Sequence, residues 1–415
     1  MTAAGSAAPL VPAGGWRGRA IRGCLLVAAS LTVMATAVIS PALPDLEAAL
    51  AGTPQAGLLA RLVVTLPALF IALIAPLAGW VIDRFGRIRL LVAGAVLYGL
   101  AGGSGLVAEG LGAILAGRAL LGVAVAMVMT TVQTLVGDYF AGPARERFLG
   151  LQAAFMAFGG VVFVVAGGLL ADVHWRGPFA VYLAALLLAP LMAFVLPEPP
   201  RHHAPLRSDS AAGRPAPKGE SAAERLPVLA VALLYGTAFF TMLTFFLVPT
   251  QLPFLLAAVG ADSGTLTGLA IGCFNLSAGV AALGFGALRR RIGGAAVYGL
   301  GFTALAAGFG LAAVAEGWGL VALAMAVAGP SMGINMPNTS VWLLARVPAR
   351  FRGRALGGLT TALFLGQFLS PVASQPLVEA FGPAAAFALV AASGGVAATL
   401  CYTIAVWRFR PTRSG

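Results

Sequence analysis

Long apolar runs follow one another along the 415-residue chain, separated by short polar stretches. A helix needs about 20 mostly apolar residues to cross the hydrocarbon core of a bilayer. By that measure the pattern predicts twelve spans, at 22–44, 57–81, 89–108, 111–136, 149–171, 178–196, 227–250, 266–288, 295–315, 318–344, 355–378 and 383–407. The rhythm fails at 198–226, a polar, charged and proline-rich stretch with the composition of a flexible linker. The expected organisation is a disordered lead-in (1–21), a six-helix bundle (22–197), the linker (198–226), a second six-helix bundle (227–407) and a short tail (408–415). A cleaved signal peptide is not expected, because the first apolar run exceeds a signal core and Arg22 leads straight into it.

Composition narrows the class. Hydrophobic residues make up 60% of the chain and charged residues only 10%, against about a quarter charged in soluble chains. A water-soluble enzyme and a disordered scaffold are excluded. The net charge of +12 does not point to nucleic acid, because the basic residues sit in short clusters between apolar runs. Placing the N-terminus in the cytoplasm puts every Lys and Arg on that side except Arg61, Arg118 and Arg176, so both termini are expected there. The arginine-rich, alanine- and glycine-rich composition suggests a GC-rich bacterial genome, and hence a multi-pass protein of the bacterial cytoplasmic (inner) membrane. Cys24, Cys273 and Cys401 lie inside apolar runs and form no disulfide framework. His202 and His203 read as a solvated linker pair. No metal or cofactor is expected.

The halves read as repeats. A shift of 207 residues carries Gly79 and Gly86 onto Gly286 and Gly293, Arg147 and Gly150 onto Arg354 and Gly357, and Gly122 onto Gly329. Such duplication is the build of secondary transporters, whose substrate site lies near mid-membrane between the repeats.

The run from Gly79 to Arg89 (GWVIDRFGRIR) resembles the G-x-x-x-D-R-x-G-R-x-R signature that joins spans 2 and 3 of the major facilitator superfamily, and Arg118 to Gly122 resembles its R-x-x-x-G element in span 4. The resemblance implies an all-α membrane protein with two six-helix bundles related by a pseudo-twofold axis. Within that family the chain is similar to bacterial drug and metabolite exporters, which share the Pro41-x-x-Pro44 exit from span 1. It departs from the G-P-x-x-G-G element of proton-coupled drug antiporters, of which only Gly167 and Gly168 remain in span 5.

By that resemblance Gly79, Asp83, Arg84, Gly86, Arg87 and Asp138 form a conformational gate on the cytoplasmic side. Asp83 would cap the start of span 11 near Arg354, and Arg87 would pair with Asp138. The alternative is that these are charges that only set topology. Arg118 lies inside a span, where a charge must face the protein interior or a water-filled cavity. It reads equally as a substrate or proton-coupling group and as a brace onto backbone carbonyls. The 14 acidic residues fall at span ends, so a strongly cationic substrate is disfavoured. Asp45, at the mouth of span 1, is the other proton-coupling candidate and could approach Arg61; a plain exposed charge is the competing reading.

The candidate substrate-binding groups are Thr32, Thr36, Arg118, Tyr235, Phe239, Thr241, Asn275, Asn335, Asn338 and Gln367, each weighed against inter-helix hydrogen bonding. Asn335 and Asn338 share a face of the proline-broken span 10. Neutral amides among aromatic and methionine side chains suit an amphiphilic, uncharged or anionic molecule. The expected function is export of a small organic molecule by alternating access with proton antiport. The alternative is a facilitator or carrier for a sugar, organic acid or lipid-like molecule without proton coupling. No nucleophile–base pair or phosphate loop supports an enzyme. The expected partners are the substrate, the bilayer and protons, and the expected state is a monomer.

Overall fold

Inside hydrocarbon every backbone N–H and C=O must be satisfied within its own segment or by a closed barrel. Twelve apolar runs of about 20 residues therefore become helices. The structure, a computed structural model, describes residues 15–199, 228–348 and 351–409, with the side chains at 37, 76, 78–83 and 407–409 excepted. Most of the expected lead-in, linker and tail, and the side-chain positions of Gly79 and Asp83, thus lie outside the described residues.

The first half comprises α1 (Gly15–Ala37), a 3-10 turn and the short α2 (Leu43–Ala49), α3 (Ala56–Phe85), α4 (Arg87–Gly103), α5 (Leu111–Tyr139), α6 (Gly142–Val173), and a 3-10 segment continued by α7 (Ala184–Val195). The second comprises α8 (Val228–Phe245) with α9 (Leu247–Ala258), α10 (Gly264–Ala313), α11 (Trp318–Ala328) with α12 (Pro330–Arg346), α13 (Arg352–Phe381) and α14 (Pro383–Phe409). At 50 residues α10 would measure about 75 Å if straight, more than twice the thickness of a hydrocarbon core. It reverses at Gly293, whose φ of 74° is open to glycine and strained for other residues. Its limbs are the eighth and ninth spans, which makes twelve among the described residues.

Ser40, at the far end of the first span, donates to the carbonyl of Pro249 in the seventh. The two halves therefore run parallel, with Gly15, Val228 and Phe409 at one face, called here the near face. Each half has its own core. Leu31, Met34, Tyr98, Leu121 and Phe179 pack in the first, and Leu252, Phe274, Phe302, Phe309 and Phe387 in the second. Tyr98 and Tyr182 are buried and donate to the α1 carbonyls of Leu31 (2.7 Å) and Ala35 (2.9 Å), one turn apart.

The 207-residue duplication holds residue by residue at one helix crossing. A Cβ on Gly122 would stand 2.5 Å from the carbonyl oxygen of Pro67 and 2.7 Å from Phe70, while one on Gly329 would stand 2.3 Å from the carbonyl of Phe274 and 2.0 Å from Ser277. All three pairs are separated by the same shift. Gly86 and Gly293, another such pair, both turn the chain with positive φ, 95° and 74°. Close backbone approach at small residues is how helices associate in lipid, and both halves use it at the same crossing.

Two expected boundaries move. The first helix starts at Gly15, so residues 15–21 are helical where a disordered lead-in was expected; no proline follows Pro12 there, and Arg17 and Arg19 can extend to the interface. Glu198, assigned to the linker, belongs physically to the first half. Its carboxylate accepts from the backbone N–H groups of Arg87 (2.7 Å) and Ile88 (2.9 Å), capping α4.

Replacing Gly122 or Gly329 by Val should therefore cost about 1–3 kcal/mol or more through overpacking, read as a lowered Tm of the detergent-purified protein. Gly112→Ala, where a Cβ meets open space, should not lower it.

Candidate functional site

The halves meet along α6 and the first limb of α10, and along α3 and α13. At the far face the meeting is tight. A Cβ on Gly168 would stand 2.2 Å from the carbonyl oxygen of Gly264, and one on Gly268 would stand 2.8 Å from that of Val164. Backbone rests on backbone, so no larger residue fits without separating the halves.

Polar joints frame this seam. The Asp172 carboxylate, at the end of α6, accepts from the backbone N–H of Gly264 (2.6 Å) and of Thr265 (3.1 Å), and from the hydroxyls of Ser263 and Thr265. One half thus caps the first turn of a helix of the other, where unpaired N–H groups and the helix dipole favour an anion. Beside it Arg61, buried in α3, donates from Nη1 to Glu47 (2.7 Å) and to the carbonyl of Gly57, and from Nε to Gln251 of α9 (3.0 Å). The Phe254 ring lies 3.7 Å from the guanidinium carbon. Gln251 donates onward to Ser374 of α13 (3.0 Å), and Gln375 donates to Glu379 (3.0 Å). Of the two readings of Asp45 the exposed charge on α2 is the one present, and Glu47 is the partner of Arg61. Asp45 and Glu47 lie two residues apart on one helical turn and so point different ways.

The near face is arranged differently. Arg87 Nε donates to Asp138 at 2.7 Å, joining α4 to α5 within the first half. Buried Gly86 makes the turn before it, and Arg84 is exposed with its guanidinium 6.0 Å from the Phe85 ring. Gly150, Gly353 and Gly357, at the near-face ends of α6 and α13, have open space around them. No backbone contact like the far-face seam forms at these near-face glycines.

At mid-depth the candidate residues separate into two groups. With about 1.5 Å of rise per residue, Phe239 and Asn275 sit about 17 Å from the starts of α8 and α10, Gln367 about 21 Å from the end of α13 and Thr32 about 26 Å from the start of α1. Thr32, Thr36, Phe239 and Asn275 are half-buried. The Asn275 amide nitrogen comes within 3.9 Å of where a Gly160 Cβ would stand, on the seam between the halves. Gln367 is buried, and its Nε2 has no hydrogen-bond acceptor; it adjoins Gly366, which rests on the Phe239 carbonyl. Among the described side chains no carboxylate lies at this depth.

The second group faces into its own bundle. Arg118 is fully buried, donates to the carbonyl of Gly102 (2.6 Å), and stacks near Phe179 (5.0 Å) and Tyr182 (4.8 Å). Of its two readings the brace is the one present. Asn338 donates to the carbonyl of Gly294 (2.8 Å) and accepts from Arg289, tying the α10 reversal to α12. Asn335 packs on Gly301 with both amide atoms unpartnered. Its repeat mate is Val128, which packs on Gly94, the mate of Gly301. The position is therefore a bundle-interior contact in both halves, and the span 10 asparagines are not cavity residues. Tyr235 donates to the carbonyl of Ala355 (2.7 Å), and buried Thr241 to that of Thr237 on its own helix (2.8 Å). The sequence reading missed Asp172, Glu47 and Gln251, because end-of-helix polar residues look alike until their partners are known.

A family model of the Major Facilitator Superfamily matches residues 25–259 and 234–415. Multidrug resistance protein 1 of Bacillus subtilis is 30% identical over 131 residues, 31% of this chain and 34% of that protein. The bacillibactin exporter of the same organism is 30% identical over 153 residues, 35% of this chain and 37% of that protein. These matches span about a third of each relative's length. Among solved structures, a D-xylose-proton symporter superimposes with a TM-score of 0.72 at 19% identity, covering 95% of this chain and 98% of that one. With two halves of six spans that repeat the same glycine crossings and turns, and a family match covering residues 25–415, the chain belongs to the Major Facilitator Superfamily of membrane transporters.

Proposed function

We propose that this protein exports a small amphiphilic molecule, uncharged or anionic, across a bacterial cytoplasmic membrane, with both termini cytoplasmic and proton antiport as the driving exchange. One observation carries the alternating-access part of this reading: the halves are hydrogen-bonded to one another at the far face, through Ser40, Arg61 and Asp172. A conformation closed on the far side needs a counterpart closed on the near side. In this proposal Asp83 serves that state by capping α13, while Arg87 and Asp138 hold the turn that presents it. The likeness to a multidrug resistance protein and to the bacillibactin exporter supports export. The band of Thr32, Thr36, Asn275 and Gln367, without a carboxylate among the described side chains, supports a substrate that is not strongly cationic.

That same lack of a described mid-depth carboxylate favours a second reading, a facilitator without proton coupling, because intramembrane proton carriers are usually acidic side chains. In the antiport reading the exchange acts on the far-face joint, where Glu47 holds Arg61. Flux of cationic, neutral and anionic dyes of similar size in proteoliposomes separates the readings. Antiport predicts faster dye movement under an imposed pH gradient and loss of that gain in Glu47→Gln; identical flux after the gradient is collapsed selects the facilitator.

The two gates should respond oppositely. Asp172→Ala removes a helix cap of about 1 kcal/mol, roughly a five-fold population shift toward far-face opening, and Asp83→Asn should shift it toward near-face opening. Labelling rates of single cysteines placed at each face measure both. At the site, Asn275→Ala and Gln367→Ala should change the order of dye preference. Asn338→Ala should instead lower Tm and leave that order intact.

A further inference from the structure

A second cavity, of about 590 Å³, lies on the outer side of the second half, between α8, the second limb of α10, α12 and α14, and no residue of the first half lines it. It is separate from the junction described above. Its walls run along α8 from Ala230 to Phe240 and along α14 from Ile404 to Ala397. At about 1.5 Å per residue these walls are roughly 10–15 Å tall, about half of a 30 Å hydrocarbon core. The groove therefore occupies one leaflet, the one on the near face. The Phe240 and Phe302 rings, 5.8 Å apart, lie at its inner end. Its flank is open to lipid past Leu233, Leu400 and Ile404, all at least half exposed.

The mouth is polar and of one sign. Arg346, in the last turn of α12, lines it with its guanidinium 4.2 Å from the Trp342 ring, which also lines it. Around it the near-face rim of this half carries Arg289, Arg290, Arg291, Arg352 and Arg354. Among the described residues of this half the acidic ones are Asp262, Glu316 and Glu379, and all stand at the far face. Nothing described there neutralises the rim. An apolar slot one leaflet deep beneath an uncompensated arginine matches a chain with an anionic head.

We infer that this groove is a binding site for one anionic phospholipid of the near-face leaflet, with an acyl chain along α8 and α14 and the phosphate at Arg346. The site would hold the outer helices of the second half, α10 and α14, against α8 without involving the transport pathway. The proposal does not depend on which transport reading holds.

Native mass spectrometry of the full-length protein, titrated with phosphatidylglycerol or phosphatidylcholine of identical acyl chains, tests it without any transport substrate. Wild type should retain one phosphatidylglycerol at least five-fold more tightly than phosphatidylcholine. Arg346→Gln should bring the two lipids level, and Arg346→Lys should keep the preference. Gly236→Phe tests the slot itself: Gly236 lines the groove with open space beyond its Cα, and a benzyl group there should reduce retention of both lipids. Equal retention of the two lipids by wild type would overturn the inference. So would wild-type lipid retention in both Arg346→Gln and Gly236→Phe.

Discussion

The absence of water from the bilayer interior governs how this molecule is held together. Each span satisfies its own backbone, so helices meet mainly by shape in the middle of the membrane and by charge at its edges. Gly122 on Pro67, Gly329 on Phe274 and Gly168 on Gly264 are contacts of the first kind. Asp172 on the first turn of α10, Glu198 on the first turn of α4 and Asp138 on Arg87 are of the second. The division is physical. A carboxylate is affordable where solvent reaches it and where a helix offers unpaired N–H groups.

The same division shapes function. Within each half the core is extensive and rings such as Tyr98, Phe179, Phe274 and Phe309 are buried in it, so each half can move as a unit. Between the halves the far-face joint includes a glycine seam, one helix cap, the Ser40–Pro249 hydrogen bond and one chain of amides around Arg61. These interactions are few and individually modest, which suits a contact that must break and re-form during each cycle. The Asp172 cap has the geometry that the sequence motif implies for Asp83 at the opposite face, a carboxylate of one half set against a helix start of the other. The two faces of the protein would thus be closed by one type of interaction used twice.

The buried polar residues show how far residue type alone can mislead. Arg118 and Asn335 are alike in being polar, deep and unexplained by the apolar pattern. One rests between a carbonyl and two aromatic rings, and the other fills the place of Val128 in the duplicated half. Neither faces the junction. Asn275, a single amide without a motif around it, comes within 3.9 Å of the Gly160 Cβ position on the seam, and Gln367 is buried with its Nε2 unpartnered. Helix rotation decides between these fates, and an all-round apolar helix carries little amphipathic signal to reveal its rotation.

The number of spans, their division into two sets of six and the 207-residue duplication were legible in the sequence, because hydrocarbon thickness dictates run length and repeated glycines mark repeated crossings. The turns at Gly86 and Gly293 were legible for the same reason. Which side chains face the junction, that Glu47 rather than Asp45 holds Arg61, and that Asp172 joins the halves were settled only by tertiary structure. Asp172 meets residues up to 93 positions away, and such pairings depend on the rotation and depth of whole helices, which many small packing contacts set together.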